Sequence, residues 1–222
     1  MKIEVLTLFP EIYDVLNVGI IGKAIEKRAF FVNVTNIRDY SLDKHKKTDD
    51  YPYGGGAGMV MTPQPLHDAI NDVDKDHKCL RVYLSPKGEK LDQNMVTELA
   101  KVDNLMLING SYEGIDERVI ELDVDREISI GDYVLTSGDL ASLVVINAVA
   151  RYIPDVLGSE SSTDEESFCN GLLEYPHYTR PQEFCGLTVP EVLLSGNHAE
   201  VDKWRYEQSK AITKIRRPDL LK

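Results

Sequence analysis

Three glycine-rich stretches hold the residue types that could do chemistry in this 222-residue chain. The most unusual is Asp49-Asp50-Tyr51-Pro52-Tyr53-Gly54-Gly55-Gly56-Ala57-Gly58-Met59, with four glycines in five residues. That density lets backbone N–H groups come close to a ligand, at an entropic cost a spacer does not need; a flexible surface loop has the same composition. No Gly-Lys-Ser/Thr follows, so a Walker loop is excluded, and no G-x-G-x-x-G opens a helix after a strand. The other two stretches are Asn109-Gly110-Ser111-Tyr112-Glu113-Gly114-Ile115-Asp116-Glu117-Arg118 and Ser129-Ile130-Gly131-Asp132-Tyr133-Val134-Leu135-Thr136-Ser137-Gly138-Asp139. Each sets glycine beside an aromatic and a carboxylate. Positions 129–139 contain no Lys or Arg, so the pair suits a bent, polar and aromatic small molecule better than a phosphate. Taken singly, each is equally an ordinary β–α turn.

Further candidates are the acid run Asp164-Glu165-Glu166, Arg151, and His177 in Pro176-His177-Tyr178-Thr179-Arg180-Pro181. No histidine has metal-ligand spacing, and neither G-x-S-x-G nor H-E-x-x-H occurs, which disfavours a hydrolase or metalloprotease.

The elements that must position these residues alternate strand and helix. Strands are predicted over Lys2–Leu8, Phe31–Ile37, Leu80–Leu84, Leu105–Ile108 and Ile128–Ile130. Helices are predicted around Ile20–Ala29, from Pro63 to Val73, over Leu91–Val102, from Ile115, and from an Asp139 N-cap through Tyr152. Ser85-Pro86-Lys87-Gly88 is predicted as a turn. Such alternation points to an α/β domain with a largely parallel sheet, whose ligand crevice lies beyond the carboxyl ends of the strands. The stretches 83–88, 109–114 and 129–138 fall there. Gly158–Asn170 is Ser-, Thr- and acid-rich without periodicity and is expected to link domains; the chain beyond it is loop-rich until a helix after Asn197.

Composition sets the class. The chain is 42% hydrophobic and 28% charged, which excludes a disordered chain and suffices for a core. Apolar runs such as Leu143 to Ile146 fall far short of the roughly 20 residues of a membrane span. Three scattered cysteines without C-x-x-C argue against disulfides or zinc, and no signal-peptide pattern opens the sequence. A soluble cytoplasmic protein is expected. The net charge of −12 is unevenly spread: 98–166 holds 16 acidic and 4 basic residues, whereas 23–47 and 201–222 each hold 7 basic and 3 acidic. Solvated faces explain such runs as well as polyanion-gripping arms do.

Taken together, "LTLFPEIYD" (6–14), "DDYPYGGGAGM" (49–59), "YLSPKG" (83–88), "GSYEGIDERV" (110–119), "SIGDYVLTSGDL" (129–140), "SFCNGLLEYPHYTRP" (167–181) and "VPEVLLSGNHAEVDKWR" (189–205) closely resemble the bacterial tRNA (guanine-N1)-methyltransferases of the SPOUT class, the TrmD family. The resemblance covers essentially the whole chain. It implies a SPOUT α/β domain over 1–158 with a C-terminal deep trefoil knot, a linker over 159–170, and a small, mainly helical tRNA-binding domain over 171–222. It also implies a homodimer acting on guanosine 37 of tRNA, without membrane attachment.

The implied methyl donor is S-adenosylmethionine, held by Tyr83, Leu84, Ser85 and Pro86, by Gly110, Tyr112 and Glu113, and by Ser129, Ile130, Gly131, Asp132, Tyr133, Val134, Leu135 and Gly138. Asp49, Gly54, Gly55, Gly58, His177 and Arg180 are the candidate tRNA contacts. The family's catalytic arginine maps onto Arg151, and its catalytic aspartate onto the position of Glu166, with Asp164 as the other carboxylate that could serve. Magnesium is a further cofactor the resemblance implies, with no dedicated protein cage in the sequence. Besides Glu166, the chain departs from the family pattern at Ser111, where Arg or His is common, at Ser137, which replaces one glycine of a pair, and at Ala57 and Ala141, where prolines are common. The alternatives are a SPOUT ribose 2′-O-methyltransferase and a non-catalytic or impaired tRNA-binding protein.

Overall fold

The computed structural model describes residues 1–157 and 166–221, which fall into two compact units, Met1–Gly158 and Ser159–Lys222. Asp164 lies outside the described residues.

The first unit is built on a five-stranded sheet in the order β2 (Phe31–Asn36), β1 (Lys2–Thr7), β6 (Asn104–Asn109), β5 (Leu80–Lys90), β7 (Arg126–Ser129), every neighbouring pair parallel. The inner strands are buried on both faces, as helix-covered parallel sheets require. Along β6, Leu105 and Leu107 enter one apolar cluster while Met106 and Ile108 enter the other. The first cluster joins the sheet to α1 (Gly19–Glu26), α3 (Gln93–Leu99) and α5 (Asp139–Ala150); the second joins it to α2 (Pro63–Val73) and α4 (Glu117–Asp123). A short antiparallel pair, β3 (Asp49–Asp50) and β4 (Val60–Met61), closes the base of the tetraglycine loop.

Two local expectations change. Ser85–Gly88 is not a turn that ends β5: the strand runs on to Lys90, and Leu84 and Glu89 both pair with Ile128, so the four residues between them are thrown out as a bulge. Bulges of this kind re-aim side chains beside functional sites. Asp139 is not the cap of α5. It is the first helical residue, after Gly138, and its carboxylate is buried. Aspartate caps occur on other helices: Asp92 opens α3, accepting from Met95 N at 2.9 Å, and Asp116 opens α4, accepting from Arg118 N at 3.0 Å.

In the second unit an antiparallel hairpin of β8 (Glu183–Phe184) and β9 (Leu187–Thr188) precedes α6 (His198–Arg216), which Asn197 caps. Loops, turns and the hairpin occupy most of the stretch before α6, as the loop-rich sequence up to Asn197 predicts. Among the described residues no helix is long and apolar enough to cross a membrane.

Candidate active site

The bulge after Leu84, the loop after β6 and the loop after β7 meet at the carboxyl edge of the sheet around a half-open cavity of about 270 Å³. Glycine makes the walls close. A Cβ on Gly110 would stand 2.7 Å from Tyr83 Oη, and one on Gly131 would stand 2.5 Å from Tyr133 Cε1. Gly138 N donates to Gly110 O at 2.8 Å, and Ser111 and Ser137 form an antiparallel bridge, so two of the loops are laid edge to edge. Burial, then the nearby Glu127 carboxylate, push the Tyr83 phenol up to about 12, while a hydrogen bond with the Ile115 backbone pulls the other way; the group remains a neutral phenol. Glu113 and Lys87 are the charged residues of the lining, beside the apolar Leu84, Ile130, Val134 and Leu135. A mostly apolar cleft with a few polar groups suits a small organic ligand.

The tetraglycine loop is anchored at the cavity's rim. Glu113 N donates to Met59 O at 2.9 Å, Met61 N to Gly114 O at 2.9 Å, and Asp116 N to Met61 O at 3.1 Å. Gly58, at φ +83°, lies so near Glu113 that a Cβ would stand 2.5 Å from its Oε1. Gly54 and Gly55 also have positive φ but face open space, so there glycine serves backbone conformation rather than close packing. Asp49 is half-buried in β3, at the other end of the same loop.

The whole chain, residues 1–222, matches the family model described as tRNA (Guanine-1)-methyltransferase TrmD. It belongs to that family. Among its relatives is a protein named tRNA (guanine-N(1)-)-methyltransferase from Clostridium botulinum (strain Hall), 54% identical over 222 residues that make up 100% of this chain and 92% of that protein. The equally named protein of Clostridium novyi (strain NT) has the same identity and coverage. That of Clostridium perfringens (strain 13) is 54% identical over 220 residues, 99% of this chain and 93% of its own.

Of the residues the TrmD resemblance assigns to the methyl donor, Tyr83, Leu84, Ser85, Pro86, Gly110, Tyr112, Glu113, Ser129, Ile130, Gly131, Tyr133, Val134, Leu135 and Gly138 line the cavity. Asp132 does not: it is turned to solvent, 3.4 Å from Lys90 Nζ. The lining also includes Ile115, Ile120, Ile128 and Ala141, which sequence reasoning assigned to helix or strand. Their apolar type alone marks core, so no sequence signal singled them out.

The departures at 111 and 137 meet each other across the bridge between the loops. Ser111 N points to Met61 Sδ at 3.3 Å, and Ser137 has negative φ, so a side chain is accommodated there. Its hydroxyl donates to Asp139 Oδ2 at 2.7 Å.

Arg151 follows the last residue of α5, at the opposite end of that helix from the cavity, which is about 18 Å away at 1.5 Å per residue. It lines a separate concavity with Val15, Val18, Ile20, Leu143 and Leu157. Within one chain it is therefore remote from the cavity.

Glu166, His177 and Arg180 belong to the second unit. Glu166 is half-buried, and its carbonyl accepts from Cys169 N at 3.2 Å. His177 Nε2 lies 2.8 Å from Glu174 Oε1, with its ring 4.9 Å from that of Tyr175, over which the Arg205 guanidinium sits at 4.8 Å. Arg180 is exposed. Among the described residues no group of three His, Cys, Asp or Glu could hold a metal ion.

Proposed function

We propose that this chain transfers a methyl group from S-adenosylmethionine to N1 of guanosine 37 of tRNA. The observation that carries the proposal is a cavity walled by three loops in a chain that belongs, end to end, to the TrmD family. The cavity's chemistry fits such a donor: apolar walls and backbone amides for an adenine, the Glu113 carboxylate for a cationic group, and glycines where a bent ligand must approach backbone.

S-adenosylmethionine supplies an electrophilic methyl. What the protein must supply follows from the acceptor. Neutral guanine carries a proton on N1, so a base has to remove it and a positive group has to stabilise the charge that moves to O6. Glu166 is the base and Arg151 the stabilising cation. Glu166 is a carboxylate like the family's aspartate, but its extra methylene shifts the carboxylate by about an ångström, a displacement large enough to matter to rate unless the linker backbone absorbs it. The target base must also leave the anticodon stack to reach the cavity.

The distance between Arg151 and the cavity supports a homodimer in which one protomer's arginine serves its partner's site. Leu140 (53% exposed) and Val144 (47%) stand one turn apart on α5, and Val15 and Val18 (65%) line a concavity with Leu143 and Arg151; exposed apolar surface of this kind marks protein interfaces. The Gly138–Gly110 hydrogen bond and the Ser111–Ser137 bridge hold together the loops that a trefoil knot would bring side by side. The segment 1–158 would bind the donor, 159–170 would link, and 171–222 would bind the anticodon stem, in the cytoplasm where the tRNA is.

Labelled methyl donor and unmodified tRNA transcripts test this. Transfer to a transcript with G at position 37, lost when that G becomes A, is the expected result. Transfer that survives the change would favour ribose 2′-O-methylation, and tight donor binding without any transfer would favour a non-catalytic binding protein.

A further inference from the structure

We propose that Asp139 is a positioning residue: its buried carboxylate fixes the end of the 129–138 loop in the shape that holds the methyl donor. The proposal rests on the methyltransferase reading above. Asp139 is 1% exposed, is not among the cavity's lining residues, and so acts only through its neighbours. Those neighbours are the wall itself, since Ser137, Gly138 and Ala141 all line the cavity.

The carboxylate gathers hydroxyl donors from three separate segments. Thr7 Oγ1, at the end of β1, donates to Oδ1 at 2.5 Å, and Tyr13 Oη, in the 3₁₀ turn over Pro10–Asn17, donates to the same oxygen at 3.1 Å. Ser137 Oγ, in the loop, donates to Oδ2 at 2.7 Å. Burial and then the Asp139 charge push the Tyr13 phenol far up, which keeps it a donor. Tyr13 Oη in turn accepts from Asn109 Nδ2 at 3.1 Å, whose other bond goes to Leu6 O at 2.9 Å, and Ser142 Oγ donates to Asn109 Oδ1 at 2.5 Å.

One oxygen of Asp139 is thus bound to the scaffold and the other to the loop. The two oxygens of a carboxylate can take all three hydroxyls, and the first turn of α5 is a favourable place for a negative charge. An amide at 139 would place an NH₂ against Ser137 or against Thr7 and Tyr13, and the hydroxyls on that side would have to reverse from donor to acceptor, which loosens the grip there. The loop is also packed hard at this point: a Cβ on Gly138 would stand 3.1 Å from Asn109 Oδ1. A small shift at Ser137 therefore has to travel outward into the cavity wall.

The experiment uses the full chain and its Asp139→Asn, Ser137→Ala and Thr7→Val variants. KM for S-adenosylmethionine, KM for tRNA, kcat and Tm are measured for each. Asp74→Asn serves as a stability control in a second buried polar cluster, which the cavity does not include. Asp139→Asn should raise KM for the donor about tenfold or more, with KM for tRNA within about twofold. Ser137→Ala should raise it about threefold, and the double variant should be no worse than Asp139→Asn alone, as coupled residues require. Asp74→Asn should lower Tm with donor KM unchanged. A fall in Tm for Asp139→Asn with donor KM unchanged, or full additivity with Ser137→Ala, would overturn the proposal. Should Asp139→Asn not fold, unchanged donor KM in both Ser137→Ala and Thr7→Val overturns it equally. Failure of the unaltered chain to bind the donor is a different result, which overturns the methyltransferase reading and the proposal with it.

Discussion

Tyr83 Oη occupies the space that a side chain at residue 110 would need, 2.7 Å from where a Cβ would be. The phenol is buried, so it has nowhere to retreat except into the cavity or the α4 side of the sheet. Overpacking of this kind costs about 1–3 kcal/mol. Gly110→Ala should therefore weaken binding of S-adenosylmethionine about tenfold or more while lowering Tm by several degrees, at roughly 2–4 °C per kcal/mol for a chain of this size. Calorimetric titration of the donor alongside a thermal scan checks both.

Arg151 lies outside the lining of the cavity proposed for the donor and Glu166 belongs to the second unit, so donor binding and turnover should separate when they change. Arg151→Ala and Glu166→Gln should each reduce kcat about 10²-fold or more, the scale of lost acid–base or electrostatic catalysis, with donor Kd within about threefold of the unaltered chain. Near-native kcat in Glu166→Gln would put the base elsewhere, and Asp164 would be the next residue to change.

Much of this site was legible in the sequence because parallel α/β order fixes where loops go. Once Leu80–Leu84, Leu105–Ile108 and Ile128–Ile130 are strands, the glycine-rich segments after them must share one edge of the sheet. The bulge at Ser85–Gly88 was not legible, because Pro86 and Gly88 mark a turn locally and only pairing with Ile128 on both sides returns the chain to the strand. Asp139 was misassigned for a related reason. An aspartate before an apolar run is a cap by local rules, and what withdraws it is Thr7 and Tyr13, more than 120 residues away in sequence. The remoteness of Arg151 from the cavity has no sequence signal at all, since helix length gives distance only once the cavity is known to sit at the helix's other end.

α5 is apolar nearly all round, yet Leu140 and Val144 face outward at 53% and 47% exposure. A helix of that composition is expected to be covered on every side. Replacing both residues, Leu140→Asp with Val144→Asp, should convert a dimer to a monomer in sedimentation velocity at micromolar concentration. Turnover should be lost with the partner's Arg151, while donor binding, which uses one chain's loops, should persist. A double variant that stays dimeric would mean this surface is not the interface.

Asp74 gives the fold an acid-sensitive point. Its carboxylate is desolvated, which alone would raise its pKa, but Arg81 Nε at 2.9 Å and the amides of Lys78 and Cys79 outweigh that and hold it below the usual carboxylate value. A group whose folded pKa is depressed contributes stability above its unfolded value of 3.8, and that contribution is lost as pH falls through the folded value. Asp74→Asn should cost about 3 kcal/mol at neutral pH, the lower end for breaking a buried pair, by removing the nearer of Arg81's two carboxylates while Asp123 stays at 3.8 Å, and should flatten the stability profile below about pH 4. Chemical denaturation at several pH values, read by circular dichroism, checks both the size and the slope.

The net charge of −12 would by itself repel tRNA, so binding has to rest on the local excess of Lys and Arg in 23–47 and 201–222. Several of these side chains already have acidic neighbours, as in Lys46–Asp39 at 2.6 Å and Arg217–Asp219 at 2.6 Å. Exposed pairs of this kind contribute little and exchange readily for phosphate. Affinity for tRNA should therefore fall about tenfold or more between 50 and 200 mM salt, because each phosphate neutralised releases counterions. Lys44→Ala with Lys47→Ala, and separately Lys210→Ala with Lys214→Ala, should each reduce the slope of log Kd against log salt by about 1–2, with donor affinity unchanged. A salt-independent Kd would place the tRNA on some other part of the surface.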